Sequence, residues 1–198
     1  MNRAAMSRIP ASIAACLLAL ALAACSQRPE PPLAGATIGG EFDLVDTNGK
    51  PVHWRDFKGK YRMIYFGYTF CPDACPTDLT TMMRGFDQFA KDNPGKAGKV
   101  QPIFVSVDPA RDTPPRVGEF AAAFSPRLLG LTGSEANVAK AAKVFAVWYA
   151  KGEQTPGGYL VNHTRIAYLM DPDGKPLVVL ATDKGPKAVA ADLAEWVD

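Results

Sequence analysis

Two cysteines and a histidine carry the chemistry this sequence offers. Cys71 and Cys75 stand in Phe70–Pro76, FCPDACP, with three residues between them. Such a pair can exchange a disulfide, hold a soft metal as two thiolates, or sit inert in a core. Pro72 and Pro76 stiffen the loop, and Pro76 suits a first helical turn because it has no N–H to leave unbonded. Helix N-terminal amides lower the pKa of a nearby thiol. Two thiolates alone suit Cu(I), whereas Cu(II) also wants nitrogen. The chain has two histidines. His53, beside Trp54, reads as a surface or half-buried strand residue. His163, in Val161-Asn162-His163-Thr164, reads as a third ligand. Zinc accepts two cysteines, a histidine and water, but a structural zinc site wants four protein ligands. Asp73 could add an oxygen, although an exposed loop aspartate is ordinarily just solvated.

These residues need a scaffold to hold them. Tyr61–Gly67, YRMIYFG, is a buried-type strand ending just before the cysteine loop. After the loop, Leu79, Met82, Met83, Phe86 and Phe89 fall at helical spacing; one of the two methionines faces the core by spacing, and both read as core packing rather than as thioether ligands. Val100–Val107 is a second buried strand. Thr113 caps a helix with Pro114 at its first position, and Val117, Phe120, Ala121 and Phe124 share one face. Leu128–Leu131 is a short strand, and Ser134 caps a helix carrying Val138, Ala141, Ala142 and Phe145. Ala146–Ala150 is extended and Gly152–Gly158 is a loop. Arg165–Met170 and Leu177–Ala181 form a hairpin about Asp171-Pro172-Asp173-Gly174, and Pro186 opens a last helix. Ahead of these, Glu41–Val45 and Pro51–Trp54 flank Asn48-Gly49, a strong hairpin signal.

That order predicts an α/β fold, a central mixed sheet flanked by helices with an antiparallel edge from the late hairpin. It is the thioredoxin-like plan with an added N-terminal β-hairpin. In that plan the reactive cysteines lie where the first central strand gives way to a helix, as Cys71 and Cys75 do. The connection facing them ordinarily carries a cis-proline. Here it carries His163.

The formal charge of +2 over 198 residues is too small to argue for a nucleic-acid partner. Residues 1–24 hold Arg3, Arg8 and no acid, then the run ASIAACLLALALAA, and read as an export signal. The run is short of the about 20 residues a spanning helix needs. Leu22-Ala23-Ala24-Cys25 resembles the bacterial lipobox, which places a lipid on Cys25. Residues 25–38 then read as a lipidated Pro-rich tether, and 39–198 as one domain. Losing residues 1–24 leaves twenty basic and twenty acidic side chains, so the mature chain is formally neutral. Cys16 goes with them and Cys25 is spent on lipid, so Cys71 and Cys75 remain as the free thiols. Export places them in an oxidising compartment, where a close pair tends toward a disulfide.

The segments GGEFDLVDTNGKPV, YFGYTFCPDACPTDL, FVSVDPARDTP and NHTRIAYLMDPDGK, spread in order over residues 39–175, resemble the Sco/SenC family of copper-binding proteins. The resemblance implies one Cu(I) or Cu(II) held by Cys71, Cys75 and His163, and a Cys71–Cys75 disulfide in the oxidised form. It also implies a role in maturing the dinuclear copper (CuA) centre of cytochrome c oxidase subunit II, by copper delivery, thiol reduction or both. Other periplasmic copper carriers are further implied partners, and the chain would act as a monomer anchored by its lipid and facing the periplasm. Ser26 follows Cys25 where aspartate often marks inner-membrane retention, so the choice of membrane stays open. The family commonly has aspartate before its histidine; Asn162 stands there here and can accept a hydrogen bond without charge. Asp108 can pair with Arg111 or Asp112 and fix a loop near the site, while Asp112 and Thr113 also suit a helix-capping turn.

Two other readings share these residues. A metal-independent thiol-disulfide oxidoreductase would use Cys71 and Cys75 as a catalytic redox pair. A peroxiredoxin is suggested by CPTD at Cys75, but Tyr68 and Pro72 stand where its motif needs threonine.

Overall fold

The computed structural model describes residues 29–198. The expected export signal over 1–24 and Cys25 lie outside the described residues. Within them one compact unit runs from Pro31 to Asp198. Leu33 and Ile38 pack against its core, and the Leu33 amide donates to the Leu177 carbonyl at 3.0 Å. Among the described residues no helix is long and apolar enough to cross a membrane.

Among the described residues the first strands are those of the expected hairpin. Strands β1 (Asp43–Val45) and β2 (Pro51–His53) pair antiparallel. One Asp46 carboxylate oxygen accepts the amides of Asn48 and Lys50, and Gly49 takes the positive φ of 75° that closes the turn. Then come β3 (Tyr61–Gly67), helix α1 (Ala74–Asp92), β4 (Val100–Ser106), helix α2 (Pro114–Ala122) and β5 (Leu129–Leu131). Helix α3 (Glu135–Val144) leads into β6 (Tyr149–Thr155) and β7 (Gly158–His163). Strands β8 (Ala167–Met170) and β9 (Pro176–Val179) and helix α4 (Pro186–Trp196) complete the fold.

The main sheet has the order β5-β4-β3-β8-β9. Strand β3 runs parallel to β4 and antiparallel to β8. Flanked by strands and buried throughout, it reads as an almost unbroken apolar run. Its one charged residue, Arg62, lies 4.7 Å from the centre of the Trp54 ring and donates to the Asp171 carbonyl at 2.7 Å. Because β3 ends at Gly67 in the middle of the sheet, the loop and helix that follow are delivered to the sheet's centre.

Two local expectations are corrected. Gly152–Gly158 is no simple loop: most of it belongs to the β6–β7 ribbon, which pairs Tyr149 with His163. Lys151-Gly152-Glu153-Gln154-Thr155 is largely polar because this two-stranded ribbon lies outside the main sheet, so apolar alternation is not demanded of it. Thr113 holds the N-cap position of α2 but makes no side-chain cap bond, whereas Ser134 caps α3 by accepting the Asn137 amide. Met82 and Met83 are both buried, as the core-packing reading of the pair has it, because α1 packs against α4 as well as lying on the core.

That helix pair depends on Gly85. A β-carbon there would lie 2.6 Å from Val189 Cβ and 2.7 Å from the Pro186 carbonyl oxygen. Both neighbours belong to α4, and the carbonyl cannot swing away. Gly85→Ala is expected to lower the unfolding free energy by about 1–3 kcal/mol in urea denaturation. An unchanged midpoint and slope would contradict the close approach.

Candidate metal centre

The end of β3 and the start of α1 place the two thiols. Cys71 leaves the strand, and its sulfur accepts the Cys75 amide at 3.2 Å. Asp73, in the N-cap position, makes no side-chain cap bond, so a sulfur answers that amide at the helix start. The hydrogen bond with the Cys75 side chain holds the Cys71 thiol well below its ordinary range, aided by the Cys75 and Asp73 amides. Cys75, bonded to that thiolate and buried, is pushed up and keeps its proton. The pair therefore rests as one thiolate and one thiol. Cys75 is wholly buried and Cys71 is 9% exposed, so the more accessible sulfur is the charged one.

His163 is delivered by the ribbon. Its Nδ1 bonds to the Thr164 carbonyl at 3.1 Å. A carbonyl only accepts, so Nδ1 carries the proton and Nε2 presents a lone pair. Nε2 lies 3.3 Å from Cys75 Sγ. The ring stands edge-on to Tyr65 and to Tyr68, at 6.3 and 5.9 Å between centres. Nδ1 therefore takes its partner from the backbone. The Asn162 side chain instead lies over Gly152, within 2.9 Å of where a β-carbon would be, so the missing aspartate is not needed to fix the tautomer.

The three expected residues meet at one point. Cys71 Sγ, Cys75 Sγ and one ring nitrogen of His163 all lie within 4.8 Å of one another, and among the described residues no other such group of three occurs. Two soft sulfurs and one imidazole suit copper or zinc and are poor company for hard, oxygen-seeking ions. His53 is elsewhere, bonded through Nδ1 to Asp43 at 2.7 Å.

Around the ligands lies a shell that spacing did not reveal. Gly67 is a spatial requirement: a β-carbon there would come within 2.9 Å of Cys75 Sγ and 3.0 Å of the Tyr65 ring. Tyr65 donates to the buried carboxylate of Asp78 at 2.9 Å, and Arg165 grips the same carboxylate through Nε and Nη2 at 3.1 and 2.8 Å. Burial, with Cys75 and Asp78 nearby, pushes the Tyr65 phenol up, so it remains a donor.

Asp112 has a different role from the expected cap. Wholly buried, its carboxylate accepts the Thr69 amide at 2.9 Å, the Thr69 hydroxyl at 2.6 Å and the Ser106 hydroxyl at 2.5 Å. Thr69 is two residues before Cys71, so these bonds fix the entrance of the cysteine loop. Asp108 pairs with Arg111 at 2.6 Å, as one of the two expected pairings had it, and also accepts the Tyr159 hydroxyl at 2.7 Å. The Arg111 guanidinium lies 3.7 Å from the Tyr159 ring centre and 4.5 Å from that of Phe70. This segment thus touches both the cysteine loop and the ribbon.

Comparison with known proteins gives one answer. The SCO1/SenC family model matches residues 30–198. The Rickettsia felis SCO2-like protein is 36% identical over 181 residues, covering 86% of each chain. The Arabidopsis thaliana mitochondrial protein SCO1 homolog 1 is 43% identical over 145 residues, 73% of this chain; that stretch spans only 42% of the plant protein. Among solved structures, copper-bound ScoI of Bradyrhizobium japonicum is 42% identical with a TM-score of 0.72, covering 80% of this chain and 99% of that one.

The charge asymmetry of the thiols has a direct readout. In the reduced, metal-free protein at pH 6, iodoacetamide is expected to label Cys71 well before Cys75, as read by peptide mass spectrometry. Equal labelling, or Cys75 first, would contradict the assignment of the thiolate.

Proposed function

The chain belongs to the SCO1/SenC family, and we propose that it binds one copper ion through Cys71, Cys75 and His163 and assists assembly of the CuA centre of cytochrome c oxidase subunit II. The observation that carries this reading is the convergence of those three ligand atoms within 4.8 Å. Copper is the cargo, held as Cu(I) or Cu(II). Cys71 enters the site already deprotonated, and metal binding displaces the proton of Cys75. His163 supplies Nε2, since Nδ1 is engaged by the Thr164 carbonyl. The two thiolates are sufficient for Cu(I), and the imidazole makes Cu(II) acceptable.

Lipid on Cys25 would hold the domain, which begins at Pro31, at the membrane facing the periplasm, within reach of a membrane-bound oxidase and of other copper carriers. Metal-independent thiol-disulfide exchange is the second reading. It is favoured by one observation: Cys71 Sγ accepts the Cys75 amide at 3.2 Å and is the more exposed of the two sulfurs, the placement of an attacking thiol.

Copper titration under anaerobic conditions separates the two. His163→Ala is expected to lower Cu(II) affinity by at least about tenfold and to change the sulfur-to-Cu(II) absorption and the EPR spectrum, while Cu(I) affinity is kept. Unaltered Cu(II) spectra and affinity in that variant would remove His163 from the site. Turnover of a protein disulfide that is indifferent to His163 would favour the second reading.

A further inference from the structure

Cys75 and His163 come from distant parts of the chain, so something must set their separation. Asp78 lies three residues beyond Cys75 on the same face of the first turns of α1. Arg165 lies two residues beyond His163, on the segment between β7 and β8. Their side chains meet in a two-pronged contact, Nε to Oδ2 at 3.1 Å and Nη2 to Oδ1 at 2.8 Å. A guanidinium fork on a carboxylate fixes orientation as well as distance. The other bonds of this segment, Thr164 N–H to the Trp148 carbonyl at 2.9 Å and Trp148 N–H to the Thr164 hydroxyl at 3.1 Å, tie it to the start of β6, not to the cysteine helix. The Asp78 carboxylate also receives Tyr65, whose ring stands edge-on to His163. One buried carboxylate thereby addresses the histidine segment from two sides.

Stability does not explain this arrangement well. The Asp78 side chain is 8% exposed and that of Arg165 is 54% exposed. Burying one charge to meet a half-solvated partner contributes little net stability, because desolvation offsets the attraction. Such pairs are better suited to fixing one arrangement among several.

We infer that Asp78 and Arg165 are positioning residues, forming a clasp that holds the His163 imidazole at its working distance from the two sulfurs and so sets how strongly the site prefers Cu(II). The inference rests on the copper reading above. The clasp acts only on the third ligand. Both thiols sit on the loop and helix that Gly67 and Asp112 already fix, so Cu(I), content with two thiolates, is indifferent to it.

The test compares wild type, Arg165→Gln, Arg165→Lys, Asp78→Asn and His163→Ala in the full chain. Each is titrated anaerobically with Cu(I) and Cu(II), and the His163 ring nitrogens are followed by NMR in the metal-free protein. Arg165→Gln and Asp78→Asn are expected to lower Cu(II) affinity about 10–100-fold, alter the Cu(II) EPR spectrum and broaden the His163 ring signals, with Cu(I) affinity unchanged. Arg165→Lys, keeping the charge without the fork, recovers part of the loss. Wild-type Cu(II) affinity and spectra in Arg165→Gln, with His163→Ala still impaired, would overturn the clasp and leave the copper reading standing. A parallel loss of Cu(I) binding would overturn it too, as a general lesion of the fold. If wild type and His163→Ala bind Cu(II) alike, the three-ligand copper reading fails, and unbroadened ring signals in Arg165→Gln would remove the clasp independently.

Discussion

Cys75 and His163 are separated by 88 positions in sequence and by 3.3 Å in space. Nearly every feature near the site serves that approach. The central strand β3 ends at Gly67 so that the cysteine loop starts in the middle of the sheet, and glycine is needed there because Cys75 Sγ occupies the space of a side chain. The β6–β7 ribbon carries the histidine in from outside the main sheet. Asp112 holds the loop at Thr69, and Asp108 with Arg111 links the same region to Tyr159 on the ribbon. A site assembled from separate pieces needs several such attachments, because ligand geometry fails if any one piece drifts.

The electrostatics of the site follow from the same placement. A thiolate in a low-dielectric interior is costly unless donors surround it. Cys71 has the Cys75 thiol and the amides at the helix start, and it lies at the surface edge of the core. Cys75 has burial on every side and a thiolate for a neighbour, so it keeps its proton. The imidazole, held at Nδ1 by a backbone carbonyl, turns Nε2 toward the sulfurs. The two sulfurs thus face each other with one of them charged, less repulsion than two thiolates would impose.

Much of this was legible in the sequence, and what was not has a physical reason. Tyr61–Gly67 and the helical spacing after it gave the strand–helix junction, because both are local patterns of apolar residues. The cysteine spacing and His163 announced the ligands, since cysteine and histidine suit a soft metal and the chain holds few of either. The β6–β7 ribbon was hidden because β6 beyond Ala150 is polar and largely solvated, so that strand shows no alternation. Asp112 resembled a cap because it stands before a proline-led helix, yet its partners Thr69 and Ser106 come from elsewhere in the fold. The Asp78–Arg165 contact spans 87 positions, and no spacing rule connects residues so far apart. Local order was readable; long-range polar pairings were not.

The central claim is that two sulfurs and one imidazole of this chain close on a single copper ion. Copper K-edge X-ray absorption on the protein loaded with one Cu(II) per chain tests it most directly. The account predicts a first shell of two sulfur scatterers and one nitrogen with the outer-ring scattering of an imidazole. That imidazole signature should be lost in His163→Ala, while both sulfurs remain. A shell without imidazole in the wild type, or with fewer than two sulfurs, would contradict it.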